Sequence, residues 1–275
     1  MTDEGPPRGS TLRGLRWSLR GRLAEHPRLY LPIARWKFPD AVLGPQTELV
    51  IEGFTRSAVT FATIAFQLAQ PRPVRTAHTL HSVGHVVEAV RRGIPVLVTI
   101  REPEEVALSA VIREPYLTLG RVLNGYVRFY GSILPIRDQV VAGRFESVVA
   151  DFGSVTRAIN QRFGSAFAEF RHTDDDVRRC YEIIEDRSRR PPWEKELGRF
   201  QAGIITYEAY RAAAAASEQA TGSAGRTVPE RRVQRPSPER EALKDTLRSR
   251  LADPRLATLR ARATAAYERF VSVSS

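Results

Sequence analysis

The chain has 275 residues, 42% of them hydrophobic, which suits one α/β domain with appendages and a substantial core. Its single cysteine, Cys180, excludes an intramolecular disulfide framework and fits a reducing cytoplasm, while no apolar run reaches the roughly 18 residues of a membrane span. The net charge of +11 suits nucleic acid, an acidic membrane face or a polyanionic small ligand. Its arginines are spread along the chain among acids rather than set in one stripe, so no nucleic-acid module is recognisable.

Residues 1–10, MTDEGPPRGS, read as a disordered leader without the basic-then-apolar order of a signal peptide. Residues 11–24 place Leu12, Leu15, Leu19 and Leu23 at helical spacing, with Arg13, Arg16, Arg20 and Arg22 between them. Such a helix can lie on an anionic membrane or pack on the domain surface, and its two glycines favour packing. This region, 1–46, is set apart from a domain over 47–275.

TELVIEGF (47–54) is predicted as a buried strand and 59–70 as the helix after it. A second strand at 73–78 and a helix at 81–93 follow, then the clearest strand, IPVLVTIR (94–101). Pro103 opens a helix over 102–112. FESVVADF (145–152) reads as a fourth strand, with a helix to about Phe163. The alternation predicts a parallel sheet flanked by helices. Residues 174–215 read as polar helices interrupted by Pro191 and Pro192, 217–238 as a flexible basic segment, and 239–270 as a last helix or helix pair.

The junction after the first strand carries the chemistry. Gly53-Phe54-Thr55-Arg56-Ser57-Ala58-Val59-Thr60 has the strand-to-helix context and length of a phosphate loop. Ala58 and Val59 stand where an ATP-using loop has glycine and lysine, which counts against a kinase. Arg56 supplies a cation within the loop, and the N–H groups at the helix start can hold an anion. Arg101 ends the clearest strand and Ser109 lies eight residues on, at the same sheet edge. An arginine fork and a hydroxyl suit a phosphate monoester, although Glu102 or Glu105 is an equally natural partner for Arg101. His78, His81 and His85 lie close together without carboxylates or thiols at metal-ligand spacing, so no metal is expected.

GFTRSAVTF (53–61) resembles the 5′-phosphosulfate loop of the sulfotransferase family, and IREPEEVALS (100–109) resembles its 3′-phosphate element. VVADFGSVTRAINQRFG (148–164) is similar to the family's late strand and helix. QRPSPEREALKDTLRSRL (234–251) is similar to the C-terminal segment of bacterial sulfotransferase-like proteins. The resemblance implies a P-loop NTPase-like sulfotransferase fold that binds 3′-phosphoadenylyl sulfate, or its product adenosine 3′,5′-bisphosphate, without metal. It implies Thr55, Arg56, Ser57, Ala58, Val59, Thr60, Arg101 and Ser109 at the cofactor. It also implies His78 as catalytic base, with His81 one step behind it, and Arg56 stabilising the leaving phosphate. Thr55, Ala58 and Val59 depart from the family's proline, glycine and threonine. The family's glycine-rich basic 3′-phosphate segment is absent, and Arg231, Arg232 and Arg235 are candidate substitutes. The acceptor is a hydroxyl of a small molecule, glycan or lipid, met by loops within 110–140 and 165–215. The rival readings are an inactive nucleotide-binding module and a P-loop kinase.

Overall fold

A computed structural model describes residues 10–189, 195–221 and 237–272. Two helices, α1 (Ser10–Leu23) and α2 (Pro27–Lys37), precede strand β1 (Leu49–Gly53). There follow α3 (Val59–Ala69), β2 (Thr76–His78), α4 (Val83–Arg91) and β3 (Val96–Ile100). Next come α5 (Pro103–Arg113), α6 (Leu119–Ile133) and β4 (Val141–Arg144). Helices α7 (Phe145–Ala150), α8 (Phe152–Phe163), α9 (Asp174–Arg189), α10 (Lys195–Gln201) and α11 (Tyr207–Thr221) come after the last strand. The chain then forms α12 (Pro238–Leu251) and α13 (Ala257–Val271).

The four strands make an all-parallel sheet in the order β2-β1-β3-β4. Both faces are covered, so β1 and β3 are buried at every position and read as unbroken apolar runs rather than alternating ones. Val50, Val96, Val98 and Ile100 join a core with α2, α4, α5 and α6. Leu49, Ile51 and Leu97 face the other way, into a core with α3, α8 and α9. Each such aliphatic side chain, fully buried, contributes about 1.5–3 kcal/mol. Cys180 of α9 lies wholly inside the second core, and burial pushes its thiol far above the usual range.

The expected strand at 145–152 is a correction. The strand lies at Val141–Arg144 and the segment after it turns into α7 and α8. Phe145, Val148, Val149 and Phe152 recur at i, i+3, i+4 and i+7, a helical period that a short apolar run conceals. The span 110–140 is likewise no loop: its centre is α6, whose Val122, Leu123, Tyr126 and Tyr130 sit in the core. Residues 165–215 are largely α9, α10 and α11. The C-terminal helix pair is present as α12 and α13. The leader at 1–9, the stretch 222–236 and Pro191 and Pro192 lie outside the described residues.

Helix α1 does pack on the domain, through Leu23 at its end but not through its other three leucines. Its inner side carries buried Gly14 and half-buried Trp17, whose ring meets Phe54 edge-on at 6.1 Å between centroids. Leu12, Leu15 and Leu19 point away from the core.

Candidate functional site

Strand order places the site. After β1 the chain crosses by α3 towards β2, whereas after β3 it crosses by α5 and α6 to β4 on the other side. The loops after β1 and β3 therefore diverge and leave a crevice between their carboxyl ends, the usual ligand position of open parallel sheets.

Three features fix the two loops. Gly53 comes so close to β3 that an added Cβ would stand 2.3 Å from Thr99 Oγ1 and 2.5 Å from its carbonyl oxygen. Tyr130 Oη donates to Thr99 O at 2.8 Å and accepts from Phe54 N at 3.3 Å, bridging the strand ends. Tyr126, one turn earlier on α6, donates to Arg101 O at 2.8 Å. Burial drives both phenols well above the ordinary tyrosine range, so they stay protonated donors.

The loop itself is strained. Arg56 and Ala58 hold φ of 67° and 70°, in the left-handed region that L-residues other than glycine seldom adopt. Ala58 is also the N-cap of α3 and has no side chain to accept a helix N–H. Ser57 is fully buried and turned inward: its hydroxyl donates to Phe54 O and pairs with Thr99 Oγ1 at 2.9 Å. Its side chain thus holds the loop, and only its backbone is left for a ligand.

Thr55, Arg56, Ala58, Val59 and Thr60 line a cleft of about 380 Å³, together with Arg101, Ser109 and His81. Most of the expected cofactor residues are therefore brought together. The charge centre of this cleft is Ser109. Its Oγ accepts from Arg56 Nε at 2.9 Å and from Arg240 Nη2 at 2.9 Å, which leaves its own O–H for a third partner. Arg240 also donates to Ser109 O at 3.2 Å and is only 4% exposed. Lys244, one turn on along α12 and 5% exposed, donates to Glu105 Oε2 at 2.7 Å. With Arg101 and Arg113, five cations line the cleft against two carboxylates, Glu114 and Glu241.

Arg101 does not reach Ser109 through any bond seen here. Its Nη2 meets Glu105 Oε2 at 3.2 Å, and its guanidinium lies 3.9 Å from the centre of the Phe145 ring. Burial lowers its pKa, with the charges of Glu105 and Glu146 opposing. Burial raises Glu105 in turn, but the Lys244 hydrogen bond and the charges of Lys244, Arg101 and Arg248 hold it below the ordinary carboxylate value.

The histidines separate by role. His85 is fully buried: its Nε2 accepts from Leu43 N at 3.0 Å and its Nδ1–H donates to Glu52 Oε1 at 2.7 Å. Glu52, itself buried in β1, also accepts from the backbone N–H of Leu80 and His81, both at 2.9 Å. This carboxylate ties the loop after β2 to β1 and fully occupies His85. His78 is 4% exposed, bonds Thr79 Oγ1 through Nδ1 at 2.8 Å and lines neither cleft described here. His81 instead sits in the left-handed region at φ 51° and places its ring between two cavities. Its Nδ1 contacts Gly53 O at 2.8 Å, and because a carbonyl only accepts, Nδ1 carries a proton, so in the neutral ring the lone pair is on Nε2.

The second cavity, about 610 Å³, shares Trp17, Thr55, His81 and Glu114 with the cationic cleft and is otherwise walled mainly by α1 and α6, with Phe54, Leu80, Val83 and Tyr116 between them. No group of residues suited to hold a metal occurs among the described residues. Arg231, Arg232 and Arg235 fall outside the described residues.

Sequence reasoning missed Arg240 and Lys244. The signal was present: Ser237 caps α12, Pro238 opens it, and Arg240, Lys244 and Arg248 recur at i, i+4 and i+8 on one face. No protein-family model matches the chain, and neither the curated proteins nor the solved structures contain a match.

Proposed function

We propose that this protein is a sulfotransferase of P-loop type, moving a sulfuryl group from 3′-phosphoadenylyl sulfate to a hydroxyl of a small molecule, glycan or lipid. The observation that carries the reading is the convergence of Arg56 and Arg240 on Ser109 at the β1–β3 crevice, beside a histidine shared with a second cavity. Guanidinium groups from two separate elements and a hydroxyl suit a phosphate-bearing ligand that needs several charge-assisted bonds at once. The donor, when bound, supplies a sulfuryl group whose S–O bond to the 5′-phosphate breaks as the bond to the acceptor oxygen forms.

The chain's own residues divide the work. The N–H groups at the start of α3 and the Arg56 guanidinium face the leaving phosphate, where charge grows during transfer. Ser109, Arg240 and Lys244 form the 3′-phosphate end of the cleft. His81 Nε2 takes the proton of the acceptor hydroxyl in the larger cavity, the role first assigned to His78. Its ring is held ready by the Gly53 carbonyl on one nitrogen and by Glu52 on its backbone.

Thermal denaturation with adenosine 3′,5′-bisphosphate, 5′-AMP and magnesium-ATP tests the reading, since a ligand bound only by the folded state raises its stability. The bisphosphate is expected to stabilise most. Equal shifts with 5′-AMP reject the Ser109 cluster as a 3′-phosphate site, and a shift with magnesium-ATP alone favours phosphoryl transfer instead. His81→Ala should keep the bisphosphate shift and lose about 10²- to 10⁴-fold in transfer rate. His78→Ala should leave transfer close to normal in whatever fraction folds. The inward hydroxyl of Ser57 and the Ala58-Val59 pair favour one second reading, a binding module without turnover. Its signature is the same shift with no transfer to any acceptor.

A further inference from the structure

The outward side of α1 and α2 has no use in this cleft. Leu12, Leu15 and Leu19 recur at i, i+3 and i+7 and are 66%, 49% and 53% exposed. On α2, Leu29, Ile33 and Trp36 recur at i, i+4 and i+7, with Trp36 86% exposed. Single exposed leucines need no explanation, but two apolar stripes on consecutive helices do. These are not failed core faces. Each helix already turns a different side inward: Gly14 with half-buried Trp17 and Leu23 on α1, and Tyr30, Leu31 and Ala34 on α2.

Charge identifies what the stripes meet. Neither helix contains an acid, while α1 carries Arg13, Arg16, Arg20 and Arg22 and α2 carries Arg28, Arg35 and Lys37, all exposed. Glu25, in the turn between them, is already paired with Arg128. Arg20 Nη2 donates to Tyr30 Oη at 3.2 Å, which ties the two helices together. Helical spacing puts Arg16 and Arg22 on either flank of the α1 leucines, and Arg28 and Lys37 on either flank of the α2 stripe. Leucines in a central stripe with cations at its borders and a tryptophan at one end fit a surface that is apolar below and anionic above.

We propose that α1 and α2 form a docking surface for an anionic lipid bilayer, lying in its interface with the leucine stripes turned inward. The inner side of α1, through Trp17 and Arg20, also walls the larger cavity, so docking holds that cavity beside the lipid surface. The proposal does not depend on sulfuryl transfer, because binding is read without donor or acceptor.

Co-sedimentation of the full chain with vesicles tests it. Vesicles of phosphatidylcholine containing phosphatidylglycerol should bind at least about tenfold more protein than phosphatidylcholine alone, and molar salt should reduce the difference. Trp36 emission should shift to the blue on binding. Leu15→Ser with Leu19→Ser, and separately Trp36→Ser, should each lower partition about tenfold while leaving the melting midpoint unchanged, since these side chains are exposed. Absence of binding, equal binding to neutral vesicles, or unaltered binding by both variants overturns the proposal. A dimer in solution that the leucine variants convert to monomer also overturns it, by assigning the stripes to a second copy of the chain.

Discussion

Ala58 and Arg56 put the cost of the loop after β1 on two backbone dihedrals. A left-handed L-residue is less stable there by about 1–2 kcal/mol, and alanine is a poor N-cap besides. Ala58→Gly removes both penalties but adds chain entropy to the unfolded state, so it should raise stability by about 1 kcal/mol, or roughly 2–4 °C in melting midpoint. Arg56→Gly relieves a similar strain, yet it should weaken bisphosphate binding by at least about tenfold, because a charge-assisted bond contributes about 1.5–3 kcal/mol. If both variants melt higher but bind alike, Arg56 is a loop residue only. At this scale Arg56, Arg101 and Ser109 were legible because each ends or follows an evident strand. Arg240 and Lys244 were hidden by distance: they lie more than 130 residues from Ser109 and Glu105, and no local pattern says which helix face meets which.

Among elements, α12 is tied to its neighbour by charge as well as by Leu247 and Leu251 in the core. It meets α5 through Arg240 on Ser109 and through Lys244 and Arg248 on Glu105. Burial raises Glu105, but its cationic partners leave it below its unfolded value of 4.5. A depressed folded pKa stabilises above the unfolded value and is lost as pH falls through the folded one. Wild-type stability should therefore drop below about pH 4.5 partly through this contact, and Glu105→Gln should flatten that part of the acid limb. At neutral pH the same variant should cost about 1–2 kcal/mol, since Lys244 keeps only Glu241 as partner. Denaturant midpoints from pH 3 to 7 would show it; parallel profiles for the two proteins would remove Glu105 as the contact's titrating group. Element identities were legible where the period was long and clear, as in β1, β3 and α4. They failed at 145–152, where a four-residue strand and a two-turn helix share one apolar stretch and strand length alone cannot arbitrate.

The whole molecule is a sheet with two unequal roles for its faces. One face carries α4, α5, α6 and the outlying α1 and α2, and the other carries α3 with α8 and α9. The parallel class followed from continuous apolar strands alternating with helices. The order β2-β1-β3-β4 did not, because four buried strands of similar composition leave their neighbours unspecified until register and crossovers are seen. Once that order is known, the cleft must open where β1 and β3 send their loops apart.

The lone thiol of Cys180 turns this architecture into its own clock. Cys180 is sealed beneath α9, while Tyr181 and Ile184 of the same helix reach the cationic cleft. A disulfide reagent at neutral pH can label the chain only in the moments when α9 lifts, so labelling kinetics read the frequency of that opening. Adenosine 3′,5′-bisphosphate held in the cleft should slow labelling in proportion to the fraction of molecules it occupies. Labelling that is equally slow with and without it would mean that α9 opens independently of the site it borders.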